Sequence, residues 1–110
     1  MTFAEYQKLA ARTINPELSA DDTLRHGLFT ACAELGEVHG IFQKHYQGHK
    51  VDTEHLKKEI GDVFWALAEI CTSCGFDMDE ISQINIDKLT ARYPNGFTTE
   101  NSLHRAEGDI

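Results

Sequence analysis

Apolar residues recur at intervals of three and four along most of this chain, the spacing that places side chains on one face of an α-helix. Short polar or glycine-containing segments divide the pattern into four stretches. Helices are predicted over about 3–13, from Ser19 to about Tyr46, from Asp52 to Cys74, and from Asp77 to about Arg92. The alternation of a half-buried strand is absent. The sequence therefore predicts an all-α fold of about four helices.

Residues that cap helix N-termini support these starting points. Thr2 with Glu5 forms a capping box, and Ser19, Asp52 and Asp77 are good N-caps for the later helices. The loops between helices two, three and four are short, which favours antiparallel neighbours. We therefore expect an antiparallel helical bundle.

Two of the helices carry long apolar stripes. The stripe of helix two is Leu24, Leu28, Cys32, Leu35, Val38 and Phe42, and that of helix three is Leu56, Ile60, Val63, Leu67, Ile70 and Cys74. Trp65 falls opposite the stripe of helix three, where it would be exposed in a single chain. This favours an interface between copies, and the alternative is a partly covered surface tryptophan. A chain of 110 residues buries limited apolar area, so oligomerisation is expected to complete the bundle.

Composition narrows the class of protein. The chain has 18 acidic and 10 basic residues and a net charge of −8. Its length predicts one domain, residues 1–97, followed by a polar tail, residues 98–110, which is expected either to be loose or to lie across a neighbouring subunit. The acidic balance argues against partners such as nucleic acid or a membrane surface. The three cysteines cannot all pair within one chain and no signal-peptide pattern is visible, so a cytoplasmic location is expected.

Acidic residues lie beside the apolar stripes of helices two and three. Two pairs have i,i+3 spacing, which puts both carboxylates of a pair on one helix face: Glu34 with Glu37, and Glu59 with Asp62. If the helices pack antiparallel, the corresponding flanks of the two stripes converge on one site. Carboxylates so close repel one another, and Mg²⁺ or Mn²⁺ relieves the repulsion because such ions prefer oxygen ligands. The alternative is a pair of solvated helix faces.

Helix four contributes the opposite charge. Its inward face begins with Ile81 and Ile84 and continues with Asn85, Lys88 and Arg92. An amide and two cations beside an acidic metal site favour an anion bridged to the metal, and phosphate is the natural candidate. Alternatively, the two cations pair with the carboxylates or extend into solvent.

The sequence also contains residues that bind other metals. Ligands of the types used by zinc occur at His45, His49, Cys71 and Cys74. We expect no zinc site, because Cys74 belongs to an apolar stripe and the cysteine pair closes a helix. A di-iron bundle would require Glu-x-x-His motifs, which the sequence lacks.

The complete set of motifs resembles the MazG-like nucleoside triphosphate pyrophosphohydrolases. These belong to an all-α superfamily that includes dimeric dUTPases, dCTP pyrophosphatases and phosphoribosyl-ATP pyrophosphohydrolases. The resemblance rests on Glu34-x-x-Glu37, Glu59-x-x-Asp62, Asn85-x-x-Lys88, Arg92-Tyr93-Pro94 and Gly96-Phe97. It extends from about Gly27 to Phe97, and the order and spacing of the motifs together are specific. The first helix and the tail match less distinctly.

The resemblance implies Mg²⁺-dependent hydrolysis of a nucleoside triphosphate to the monophosphate and pyrophosphate, by a dimer or a tetramer built from dimers. It implies that the metal ligands are Glu34, Glu37, Glu59 and Asp62. One carboxylate would orient or deprotonate the attacking water, and we favour Glu34. Lys88 and Arg92 would stabilise the leaving pyrophosphate, and Asn85 would bond a ligand or a coordinating side chain.

Two non-enzymatic interpretations remain. The chain could be an acidic helical module that meets a basic partner, or a metal-binding relative of the family without catalysis. Neither gives a reason for the inward amide and cations of helix four. Release of pyrophosphate separates the enzyme from both.

Overall fold

The computed structural model describes residues 1–110 and consists of helices and connecting loops without strands. The helices are α1 (Phe3–Ala11), α2 (Ala20–Tyr46), α3 (Thr53–Cys74), α4 (Met78–Arg92) and α5 (Thr99–Leu103). The all-α prediction and its four main helices are confirmed. α1 ends slightly before the expected position, and the short α5 inside the tail was not predicted.

The predicted caps begin the helices. Thr2 Oγ1 accepts a hydrogen bond from the amide of Glu5 at 3.0 Å, and Ser19 Oγ accepts one from the amide of Asp22 at 3.1 Å. α3 ends at Gly75, whose φ of 72° lies in the left-handed region that glycine adopts without a Cβ clash. Local sequence signals therefore fix where most of the helices begin and end.

α2 and α3 pack antiparallel and form the main packed unit of the chain. They approach closely at Gly27, which is buried. A Cβ built on Gly27 would lie 2.9 Å from Ile70 Cγ1 and 3.3 Å from the backbone nitrogen of Ile70. A larger residue would push the helices apart, so this glycine sets their separation.

α1 packs on α3, and α4 packs on α1. The indole Nε1 of Trp65 donates to Thr13 Oγ1 at 2.7 Å, and the indole meets the His26 ring edge-on. Trp65 is therefore partly buried within one chain, and the expectation that it would be exposed there is wrong. The segment that follows α1 covers this side of α3, a placement that helical periodicity alone does not specify.

The predicted apolar stripes of α2 and α3 are only half covered. We call their open side the exposed apolar face, which comprises Leu28, Leu35, Phe42, Ile60 and Leu67, each between 42% and 49% exposed. The accessible surface of 8310 Å² exceeds the ~6,100 Å² of a compact monomer of this size. The radius of gyration of 17.2 Å likewise exceeds the expected ~13 Å. One chain alone does not close its own core.

None of the helices combines the length and apolar character needed to cross a membrane.

Candidate metal centre

Three carboxylates come together between α2 and α3. Glu34 projects from α2, and Glu59 and Asp62 project from α3. One oxygen from each lies within 4.8 Å of the others. The i,i+3 spacing puts Glu59 and Asp62 on one face of α3, and antiparallel packing presents that face to Glu34. We call these three residues the acidic cluster.

The cluster changes the ionisation of Glu34. Partial burial is the largest cause that raises the pKa of Glu34 above its ordinary value. A hydrogen bond with Glu59 and the negative charges of Asp62, Glu59 and Glu37 raise it further. Negative charges this close repel one another, so the cluster favours a bound cation, whether a proton or a metal ion.

His55 holds one member of the cluster. Its Nε2 lies 2.9 Å from Glu59 Oε1, one helical turn away along α3. Glu59 is only 16% exposed, whereas His55 is 53% exposed. This contact orients the carboxylate and leaves its other oxygen for a ligand. Sequence reasoning missed this role, although the i,i+4 spacing was the signal that could have revealed it.

Glu37 lies at the edge of the site. It is exposed and is not among the three residues whose oxygens converge, although its charge acts on Glu34. With Lys44, His49 and His55 it helps to line a groove of about 310 Å³ beside the loop between α2 and α3. Glu37 thus contributes to this groove and, through its charge, to the electrostatics of the acidic cluster.

Tyr6 brings α1 close to the site. Burial raises the pKa of its phenol, and the negative charge of Asp62 raises it further. The ring packs edge-on against Phe64 with centroids 6.3 Å apart. No motif in the sequence marks Tyr6 as a neighbour of the carboxylates, because the two segments are far apart along the chain.

The predicted phosphate-binding residues of α4 lie elsewhere within the single chain. No hydrogen bond or ion pair joins Asn85, Lys88 or Arg92 to the acidic cluster. Lys88 and Arg92 instead line a pocket between α4 and the tail, and Arg92 pairs with Asp109. The structure therefore brings together three of the four predicted carboxylates and places the cations apart from them.

The residues of the rejected zinc site lie at opposite ends of the α2–α3 pair. His45 lies in the last turn of α2 and His49 in the loop that follows, beside the start of α3, whereas Cys71 and Cys74 are in the last turn of α3. A helix of 22 residues is about 33 Å long, far beyond the reach of one metal ion. These four side chains cannot share a metal ion within one chain.

The donor set of the acidic cluster suits a hard divalent cation. All three side chains offer carboxylate oxygens, the ligands that Mg²⁺ and Mn²⁺ prefer, and no cysteine is among them. The raised pKa of Glu34 shows that positive charge is favoured here. The residues present therefore fit a divalent metal.

Comparison with known protein families identifies the family of this chain. The model of the MazG nucleotide pyrophosphohydrolase domain matches residues 22–97, which contain nearly all of α2 and the whole of α3 and α4. No significant match was found among curated proteins or among solved structures. The matched range includes the acidic cluster and covers more than half of the chain. The chain therefore belongs to the MazG nucleotide pyrophosphohydrolase domain family.

Proposed function

We propose that this protein hydrolyses a nucleoside triphosphate to the nucleoside monophosphate and pyrophosphate, with Mg²⁺ as its metal and Mn²⁺ as a substitute. The observation that carries the proposal is the convergence of three carboxylates inside the range matched by the family model. Families of this type typically depend on divalent metal. The three free cysteines suit a reducing compartment, so we place the activity in the cytoplasm.

The acidic cluster would hold the metal, with Glu37 at its edge. When bound, the ion would neutralise charge on the phosphates and lower the pKa of a bound water. Glu34 would act as the base that orients and deprotonates the water for attack at the α-phosphorus. Glu34 is the one member of the cluster that comes from α2, so it faces the two carboxylates of α3 across the space in which the ion and the water would lie. His55 would keep Glu59 pointed at the metal.

Asn85, Lys88 and Arg92 would bind the phosphates, and a second copy of the chain would bring them to the acidic cluster. The exposed apolar face lies beside the cluster, and α4 carries uncovered side chains on the face of Lys88 at Ile81 and Ile84, 43% and 56% exposed. If α4 of one copy covered the exposed apolar face of another, both apolar surfaces would be removed from water. The accessible surface in excess of a compact monomer, about 2,000 Å², is more than one partner of a standard interface buries. We therefore propose a homodimer, or a tetramer built from dimers, with shared sites.

The catalytic proposal is tested by pyrophosphate release from each common nucleoside triphosphate with Mg²⁺. Glu59→Gln should abolish turnover while the helices persist, because the amide keeps the volume and loses the charge. Glu54→Gln is a matched control on the same helix, since Glu54 is 74% exposed and pairs only with Lys57. A folded wild-type chain that binds Mg²⁺ but releases no pyrophosphate would favour the non-catalytic relative instead.

Sharing of the site between chains is tested by mixing two impaired variants at a substrate concentration below the wild-type KM, where weaker binding lowers turnover. A Glu59→Gln chain lacks the carboxylate and a Lys88→Ala chain lacks the cation. In a mixed dimer with shared sites, one site carries both defects and the other carries neither. Random exchange of chains should then restore about a quarter of wild-type activity. Mixtures that stay as inactive as their components would show that each site is built from a single chain.

A further inference from the structure

The tail folds back onto the end of α4 and closes over Arg92. Arg92 Nε and Nη2 donate to the two carboxylate oxygens of Asp109 at 2.8 and 2.7 Å. Both side chains are largely buried, at 10% and 14% exposure. A buried, two-pronged contact of this kind differs from the exposed single contacts of most surface ion pairs.

The surroundings of Asp109 are rich in positive charge. The pocket between α4 and the tail has a volume of about 500 Å³, and Lys88, Arg92 and Arg105 line it. These are three of only 10 basic residues in a chain whose net charge is −8. Hydrogen bonds from Arg92 are the main reason that the pKa of Asp109 is lowered, and the charges of Arg105 and Lys88 contribute. The pocket therefore favours an anion, and Asp109 supplies one from within the chain.

A phosphate group would use the same edge of Arg92. The guanidinium presents Nε–H and Nη2–H as a fork that fits two oxygens of a carboxylate or two oxygens of a phosphate equally well. Asp109 occupies both prongs of that fork. Asp109 and a phosphate cannot both hold this edge, so binding of one requires release of the other.

We propose that Asp109 is an internal competitor for phosphate at Arg92, and that a nucleoside triphosphate binds fully only when the tail has left the guanidinium. The inference rests on the proposed function, which assigns the substrate phosphates to Lys88 and Arg92. A tail that is docked nine-tenths of the time lowers the apparent affinity about tenfold. The tail thus controls substrate binding and leaves the chemical step unchanged.

The test uses the full chain and a probe that has no base or sugar. Asp109→Asn removes the charge at nearly constant volume, and Asp109→Ala removes the acceptor altogether. Glu107→Gln is the matched control, because Glu107 lines the same pocket but makes no ion pair. Calorimetry with inorganic tripolyphosphate and Mg²⁺ should show about tenfold tighter binding to both Asp109 variants and wild-type affinity for Glu107→Gln.

Hydrogen exchange provides a readout that does not depend on activity. Tripolyphosphate should speed exchange of the tail amides in the wild-type chain, including the amide of Asp109, which donates to the carbonyl of Ala106. Unchanged or weaker binding by the Asp109 variants would overturn the proposal, and so would tail amides that exchange no faster in the complex.

Failure of the proposed function gives a different result. If no nucleoside triphosphate is cleaved, yet tripolyphosphate binds the Asp109 variants more tightly, the enzymatic proposal fails and competition at Arg92 stands. If the wild-type chain is active and the Asp109→Asn variant has the same KM as the wild type, the enzymatic proposal is supported and competition by Asp109 is refuted.

Discussion

Replacement of Gly27 by alanine tests whether the close approach of α2 and α3 is as tight as the structure indicates. The added Cβ would lie 2.9 Å from Ile70 Cγ1, 3.2 Å from Glu69 Oε1 and 3.3 Å from the Ile70 backbone nitrogen. The Ile70 side chain can rotate away, but the backbone can yield only if the helices separate. Overpacking of this kind typically costs ~1–3 kcal/mol in the free energy of unfolding.

Gly36 provides the matched control, because it lies on the same helix and a Cβ there meets nothing within 4 Å. Alanine is favoured over glycine in a helix by ~1 kcal/mol at either position, so the difference between the two variants isolates the packing cost. Gly27→Ala should unfold ~1–3 kcal/mol more easily than Gly36→Ala. In a chain of this size each kcal/mol shifts the Tm by about 4–8 °C.

Urea or thermal unfolding measures this difference at one fixed protein concentration, so that the proposed association contributes equally to both variants. Equal stability of the two alanine variants would show that the helices accommodate the extra methyl group. The role of Gly27 in setting their separation would then be wrong.

Three further predictions concern the site and the packing around it. Lys88→Ala should weaken triphosphate binding about tenfold to a hundredfold through the loss of a charge-assisted contact, with Mg²⁺ binding unchanged, and calorimetry on each ligand separates the two effects. The pKa of Glu34 is higher in the folded chain than in the unfolded chain, so the folded state loses stability as the pH rises through the folded-state pKa and Glu34 ionises. Binding of Mg²⁺ should restore the lost stability, because the ion offsets the repulsion between the carboxylates. The rise in Tm on adding Mg²⁺ should therefore be largest at neutral pH and shrink at mildly acidic pH; a rise independent of pH would contradict the assignment. Thr13→Val removes the acceptor of the Trp65 indole and should cost ~1 kcal/mol in the free energy of unfolding, whereas no change would mean that water replaces the bond.

The helices and the acidic cluster were predictable because they depend on short-range information. Capping residues and apolar periodicity act within a few residues, and they predicted nearly all of the helix ends. The convergence of the acidic cluster could be predicted from one assumption, that consecutive helices pack antiparallel. That packing places Glu34 opposite Glu59 and Asp62. The burial of Trp65 could not be predicted, because it depends on where α1 and the residues after it lie on α3.

The surroundings of α4 show the same limit. Periodicity assigns Lys88 and Arg92 to one face of α4, but it does not say which neighbour that face meets. Within the single chain, this face of α4 meets the tail, where Arg92 pairs with Asp109. No sequence motif predicts that contact. A pattern of polar and apolar positions identifies a face that needs a partner; the identity of the partner depends on contacts between segments distant in sequence.

The order in which the molecule forms follows from the pairing of α2 with α3. These helices are consecutive, and a short loop, residues 47–52, joins them, so their contacts close a small loop and form quickly. The acidic cluster lies wholly on this pair and would be assembled in that first, concentration-independent step. In the proposed dimer, covering the exposed apolar face requires a collision between chains, whose rate depends on concentration. A refolding chain would thus bring the three carboxylates together before the proposed partner brings the cations of α4 to them.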